Sequence, residues 1–332
     1  MKVLIAPDSF KGTFSATEVI AEISIGVRDA GATPIPLPVA DGGEGTYEAL
    51  CAALGAELIK VPAANPWGQP LTASFGLTAD GLAIVELAQA SGLHVPHAGH
   101  RDPVTANTYG TGQVIAAAAQ RGAKNILVAA GGSATTDGGA GAVQAITDSG
   151  GLGATRITVL SDVTTTFIDA ARVFGPQKGA DAHTVELLTH RLEQQASQYP
   201  KDPSTHPRTG AAGGFAGGLW AHFDAELVSG ADHILDVIGF EEKLREADIV
   251  VVGEGRLDSQ TSQGKIIEAI LRRVRQHNQE MPVIAVVGSV AADLGDYAAN
   301  FSQVIIASDP PALREAGTLL AAAGRRTATV RS

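Results

Sequence analysis

Asp41 and Glu44 stand among three glycines in Val39-Ala40-Asp41-Gly42-Gly43-Glu44-Gly45-Thr46, where an apolar strand gives way to a helix. Glycines let successive N–H groups turn toward one anion-binding concavity, and the helix that follows adds unpaired amides and the positive end of its dipole. The two carboxylates repel phosphate, so either is suited instead to hold magnesium or to take a proton from a hydroxyl. Taken alone, the stretch is equally an ordinary strand-to-helix turn. Its neighbours shift the balance toward a site.

Asp8, Ser9 and Lys11 follow the first strand, and Glu254, Arg256, Asp258 and Lys265 fall in a stretch from Gly253 to Lys265 that reads as a loop after a later strand. Gly288-Ser289 follows a further strand in the same way. Ligands of open α/β sheets bind beyond the carboxyl ends of the strands, and a purely structural domain seldom gathers so many charges there. A second glycine loop runs from Gly131, Gly132 and Ser133 through Thr135 to Gly139, with hydroxyls and amides suited to phosphate oxygens; close packing of small residues is its alternative. For Gly210 to Gly218 packing is the preferred reading. Phe174 to Ala180 sets Lys178 in a rigid turn, either as a phosphate contact or as a solvated lysine. His94, His97 and His100 lie three apart in a Pro/Gly-containing segment that reads as a loop rather than a metal site.

Nucleotide signatures are missing. Lys265 follows Gly264, but residue 259 is Ser and residue 266 is Ile, so there is no Walker A loop. Asp258 stands where a dinucleotide fingerprint beginning at Gly253 needs glycine, which disfavours a dehydrogenase.

The elements that must position these residues follow from periodicity. Val3 to Ala6 reads as a buried strand and Ala16, Val19, Ile20, Ile23 and Val27 as the apolar face of a helix, with Ser15 and Glu18 as its capping box. Ile35 to Val39 holds two prolines and therefore predicts an edge strand, the place of strand two in the flavodoxin-like order 2-1-3-4-5. Ile249 to Val252, Val283 to Val287 and Val304 to Ala307 supply three more strands, with a helix carrying Ile266, Ile267, Ile270, Leu271 and Val274 between the first two. The intervening chain opens with a hairpin, Leu71 to Leu77 and Ala83 to Leu87 about Asp80-Gly81. A helix ending at Gly122 and strands at 125–130 and 157–160 follow, and Tyr199 to Thr209 reads as a solvated loop. The fold class is thus α/β: a discontinuous, doubly wound, flavodoxin-like domain of residues 1–62 and 236–332, carrying an inserted α/β domain of residues 63–235.

A chain of 332 residues with 45% hydrophobic and 18% charged residues can bury a substantial core. Aromatics at 5% leave little for base stacking, and 24 basic against 35 acidic residues, a net charge of -11, argue against nucleic acid or an anionic membrane as partner. An anionic ligand must therefore be held by local cations, helix ends or a metal. Cys51 is the single cysteine, which excludes an intramolecular disulfide. With no membrane-length apolar run, and Met1-Lys2 leading straight into a strand, a cytoplasmic location is expected.

The motifs together resemble the type I glycerate kinase family. The resemblance rests, in order, on Ala6-Pro7-Asp8-Ser9-Phe10-Lys11-Gly12, Ala40-Asp41-Gly42-Gly43-Glu44-Gly45-Thr46, Thr108-Tyr109-Gly110-Thr111-Gly112, Gly131-Gly132-Ser133-Ala134-Thr135, Phe174-Gly175-Pro176-Gln177-Lys178-Gly179-Ala180 and Gly253-Glu254-Gly255-Arg256-Leu257-Asp258. It implies a flavodoxin-like domain with an inserted restriction-endonuclease-like domain, and transfer of the γ-phosphoryl group of ATP to D-glycerate with Mg2+, more often at the 2-hydroxyl in bacterial members. On that reading Ser9, Lys11 or Arg256 meets the glycerate carboxylate with Glu44 at the substrate, Asp41 accepts the hydroxyl proton, and Asp8 or Glu254 helps hold magnesium. Gly131, Gly132, Ser133, Thr135 and Lys178 would hold the ATP phosphates. The chain departs from the family between Gln144 and Asp162, where it is much shorter, and at Thr164 to Phe167, where the usual Asn-Pro-Leu run is replaced. A non-catalytic sensor of a hydroxy acid or nucleotide, or a kinase for another hydroxy acid, are the competing readings.

Overall fold

The computed structural model describes residues 1–10, 12–40, 42, 43, 45–258, 266–292 and 294–329. Five parallel strands form the first sheet: β1 (Lys2–Pro7), β2 (Thr33–Pro36), β9 (Ile249–Leu257), β10 (Val283–Val290) and β11 (Gln303–Ile306), in the order β11-β10-β9-β1-β2. Read along the chain this is the order 2-1-3-4-5, with proline-bearing β2 at the edge where its missing donors cost no ladder bond. The helix α1 (Ala16–Asp29) begins on the expected capping box, Ser15 and Glu18 each satisfying the other's backbone N–H. Its apolar stripe and the inward residues of β1, β9 and β10 make one core.

The second sheet has six strands in sequential order: β3 (Glu57–Ala64), β4 (Pro70–Leu77), β5 (Leu82–Glu86), β6 (Asn125–Ala129), β7 (Arg156–Leu160) and β8 (Glu226–Val228). β3, β4 and β5 are antiparallel neighbours, whereas β5 to β8 run parallel. The short α3 (Ala88–Ser91), then α4 (Tyr109–Gln120), α5 (Ala140–Asp148) and α8 (Phe215–Phe223), belong with this sheet, while α6 (Ala170–Phe174) and α7 (Ala182–Gln198) close a smaller core around Phe167. Two further helices, α9 (Gly230–Val237) and α10 (Phe240–Glu246), lead back to the first sheet, whose later strands alternate with α11 (Ile266–His277) and α12 (Pro310–Thr329). α2 (Thr46–Leu54) follows the acidic loop. No helix among the described residues is long and apolar enough to cross a membrane.

Contacts group the chain into two units: Met1–Asp41, Glu48–Ala53 and Ala231–Ser332 in one, Gly42–Tyr47 and Leu54–Gly230 in the other. The break expected after residue 62 falls inside β3, which pairs along its whole length with β4. β3 and β8 escaped the sequence reading. In β3 only Ile59, Val61 and Ala63 turn inward, and a proline at 62 masks the alternation; β8 is three residues long.

Two loops of the sequence reading are strand. β9 continues through Gly253-Glu254-Gly255-Arg256-Leu257, and β10 through Gly288-Ser289, with the glycines at close backbone approaches: a Cβ on Gly253 would lie 2.6 Å from the Val286 carbonyl oxygen, and one on Gly288 2.6 Å from that of Gly255. The solvated loop expected at Tyr199 to Thr209 is solvated only in part. Thr209 is buried with its hydroxyl donating to the Pro203 carbonyl at 2.8 Å, and the His206 ring stacks on Trp220 at 4.7 Å. The region expected to be shortened, Gln144 to Asp162, holds the end of α5, a glycine turn at 149–155 and β7.

Candidate active site

In the first unit, β1 and β9 lie side by side with Pro7 opposite Gly253, so the residues that follow β1 share an edge with Glu254 and Arg256. Asp8, Ser9, Glu254 and Arg256 line one pocket of about 410 Å3, together with Thr13, Ser289 and Ser308. Asp8 is buried; its N–H donates to the Gly253 carbonyl at 2.9 Å, and one carboxylate oxygen accepts from the Ser9 N–H at 2.6 Å. Burial, then the carboxylates of Glu268 and Glu254, raise the Tyr297 phenol above its ordinary range. Four of the expected residues are therefore brought together, Asp8 and Ser9 on the loop after β1 as expected, Glu254 and Arg256 on β9 rather than on a loop. Lys11, Asp41, Glu44 and Lys265 lie outside the described residues.

In the second unit the glycine loop emerges from β6 as expected. Its shape is set internally: Thr135 N–H donates to Ser133 Oγ at 3.0 Å, Ala134 N–H to the Ser91 carbonyl at 2.9 Å, and Leu93 N–H to the Gly132 carbonyl at 2.9 Å. Those bonds use the amides of Ala134 and Thr135, leaving Gly131, Gly132 and Ser133 to supply amides to an anion. Thr136 Oγ1 on the same loop is buried with no hydrogen-bond partner among the described residues.

Lys178 is only 7% exposed, which rules out the solvated alternative, and its Nζ donates to the Thr135 carbonyl. Burial pulls this ammonium down to about 7, against a smaller opposing pull from Asp137. Asp137 had no role in the sequence reading. Its Oδ2 accepts from Thr108 N–H and Thr108 Oγ1, both at 2.8 Å, and from Gly141 N–H at 3.1 Å; Oδ1 accepts from Gly139 N–H at 3.2 Å. The Thr108 to Gly112 motif is thereby absorbed into packing, Gly110 admitting Ala64 of β3 and Gly112 admitting Ala142 of α5. Gly210 to Gly218 packs as expected: a Cβ on Gly213 would lie 2.0 Å from the Thr135 carbonyl oxygen.

The acidic loop reaches this same edge. Gly42 lies against Leu160 of β7 and Gly230, each 3.4 Å from where its Cβ would stand, and Gly45 N–H donates to Glu86 Oε1 of β5 at 3.1 Å. β6 runs between β5 and β7, so Gly42 and Gly45 lie on either side of the strand from which Gly131 follows. Glu86 was missed by the sequence reading, although a lone glutamate closing the apolar run Leu82 to Val85 at a strand's carboxyl end was its signal.

Polar groups gathered at the carboxyl ends of parallel strands, in a doubly wound sheet and again in a mixed one, put the chain in the class of two-unit α/β enzymes. It belongs to the glycerate kinase family, whose model matches residues 3–150 and 148–330. The join at 148–150 falls within the shortened stretch. The chain is 36% identical to the glycerate kinase of Bacillus subtilis strain 168, an alignment covering 88% of this chain and 86% of that protein. It is 37% identical to the glycerate 2-kinase of Escherichia coli strain K12, covering 89% and 87%. A crystal structure described as glycerate kinase 2 from Salmonella typhimurium LT2 superposes with a TM-score of 0.83 at 34% identity, covering 99% of this chain and 98% of that one.

Proposed function

We propose that this protein transfers the γ-phosphoryl group of ATP to the 2-hydroxyl of D-glycerate, giving 2-phosphoglycerate and ADP in the cytoplasm. The observation that supports it best is the placement of Gly42 and Gly45 at the ends of β7 and β5, on either side of the strand that bears the glycine loop. On this reading the acceptor Asp41, one residue before Gly42, serves the same reaction as the phosphate cradle after β6. The reading divides labour between a discontinuous acceptor domain, residues 1–62 and 236–332, and an inserted nucleotide domain, residues 63–235. The partners are small molecules, not nucleic acid or membrane.

The hydroxyl oxygen of glycerate attacks the γ-phosphorus, the bond from that phosphorus to the β–γ bridging oxygen breaks, and ADP departs with the electron pair. The hydroxyl proton passes to the Asp41 carboxylate. Ser9, Lys11 and Arg256 hold the glycerate carboxylate, and Glu44 orients a glycerate hydroxyl. Amides of Gly131, Gly132 and Ser133, the hydroxyls of Ser133 and Thr135, and Lys178 hold the phosphates. The oxygen-only donors Asp8 and Glu254, at one pocket, fit magnesium, which selects one or two carboxylates plus phosphate oxygens. When bound it supplies neutralisation of phosphate charge.

Phosphorus NMR of the protein with Mg-ATP and a panel of hydroxy acids tests the reading. A 2-phosphoglycerate signal with D-glycerate is the expected result. No phosphorylated acid would point to a sensor, and a product from another acid alone would make this a kinase for that acid. Asp41→Asn should cut kcat by about 10²–10⁴, the range a positioned base contributes, with the melting temperature nearly unchanged; near-normal turnover would remove Asp41 from the base role. Lys11→Ala should mainly raise KM for glycerate, and an unchanged KM would reject its carboxylate contact.

A further inference from the structure

Glu86 ends β5 with its carboxylate only 8% exposed, a placement that costs free energy unless hydrogen bonds offset it. One of those bonds comes from Gly45 N–H at 3.1 Å, next in the chain to Glu44. The backbone that follows Glu86 grips the other loop. Leu87 N–H donates to the Ala129 carbonyl at 3.0 Å, Gly92 forms an isolated bridge with Ser133, and Leu93 and Ala134 exchange bonds with Gly132 and Ser91. Ser91 Oγ is tied in turn to Thr111 Oγ1 at 2.7 Å. One segment, 86–93, therefore holds the acidic loop by a side chain and the glycine loop by its backbone.

We propose that Glu86 is a positioning residue: by accepting the Gly45 N–H it fixes the acidic loop at a set distance from the phosphate-holding loop. The proposal rests on the reading of these loops as acceptor and phosphate sides of a kinase. The task of Glu86 is geometric, and a misplacement of about 1 Å suffices to cost about a hundredfold in rate.

Two substitutions of similar volume separate this role from others. Glu86→Gln keeps an acceptor oxygen and loses the charge; Glu86→Met keeps the shape and loses the acceptor. With Mg-ATP and D-glycerate, the Met variant should lose about 10- to 100-fold in kcat with KM for ATP within about twofold of the parent, the scale set by loop misplacement. The Gln variant should recover to within about threefold. Hydrogen exchange followed by mass spectrometry on the peptide spanning Gly42 to Leu50 should show a protected Gly45 amide in the parent and the Gln variant, exchanging faster in the Met variant. Parental kcat in the Met variant, or equal damage in both variants with the fold intact, overturns the proposal; the second result would make the charge itself the functional element. If the Met variant does not fold, loss of Gly45 protection in the Gln variant overturns it and retention supports it. Should the parent phosphorylate no hydroxy acid, the kinase reading fails, while the exchange experiment still decides whether Glu86 holds the loop.

Discussion

Lys178 is the residue whose environment makes the sharpest demand on pH. The unfolded chain holds its proton up to the ordinary lysine range, whereas burial in the folded protein releases it near about 7. Between those values the unfolded state binds more protons, so stability rises with pH over this window. The slope is worth up to about 1.4 kcal/mol per pH unit. Phosphate binding runs the other way, because the neutral amine no longer attracts an anion. Hence kcat/KM for ATP should fall as pH rises above about 7 while thermal stability climbs, and Lys178→Met should flatten both profiles. Stability that drops from pH 7 to 9 in the parent but not in the variant would contradict the burial argument. A lysine in a Gly-Pro-Gln-Lys-Gly turn was legible in the sequence; its burial was not, since that depends on a carbonyl at Thr135, far away in the chain. Asp137 was opaque for the same reason: one acidic residue among glycines gives no hint that four groups on two segments converge on it.

Elements that carry a strong local signal were read correctly. The capping box at Ser15 and the hairpin about Asp80-Gly81 depend on neighbours in sequence and stand where expected, and the proline-bearing strand is at the sheet edge as expected, though it runs Thr33–Pro36 rather than Ile35 to Val39. The errors lie where tertiary contact overrides local preference. Glycine at 253 and 288 reads as loop, but in β9 and β10 it makes space for the Val286 and Gly255 carbonyls. Glycine at 213 has the same meaning in the segment before α8: its positive φ and its approach to the Thr135 carbonyl exclude a side chain. Gly213→Ala should destabilise the protein by about 1–3 kcal/mol. It should also raise KM for ATP, because the displaced oxygen is the one that anchors Lys178. Urea unfolding and ATP titration read the two effects; an unchanged KM with lowered stability would separate the glycine loop from nucleotide binding.

At the scale of the whole molecule, one unit is built almost entirely from consecutive chain and the other is not. Residues 42–230 contain all six strands of the second sheet and the cores around Phe75 and Phe167. That segment alone should fold, giving a cooperative thermal transition and dispersed amide resonances; a molten spectrum would show that its core is incomplete. The first sheet has no such independence. Val3 is paired with Ile249, and β1 lies between β2 and β9. During synthesis the apolar β1 must therefore wait, one side uncovered, until β9 has left the ribosome, by which time the chain for the second sheet has already emerged. β1 is thus among the last strands to be sheltered, although it precedes the whole of the second sheet in the chain.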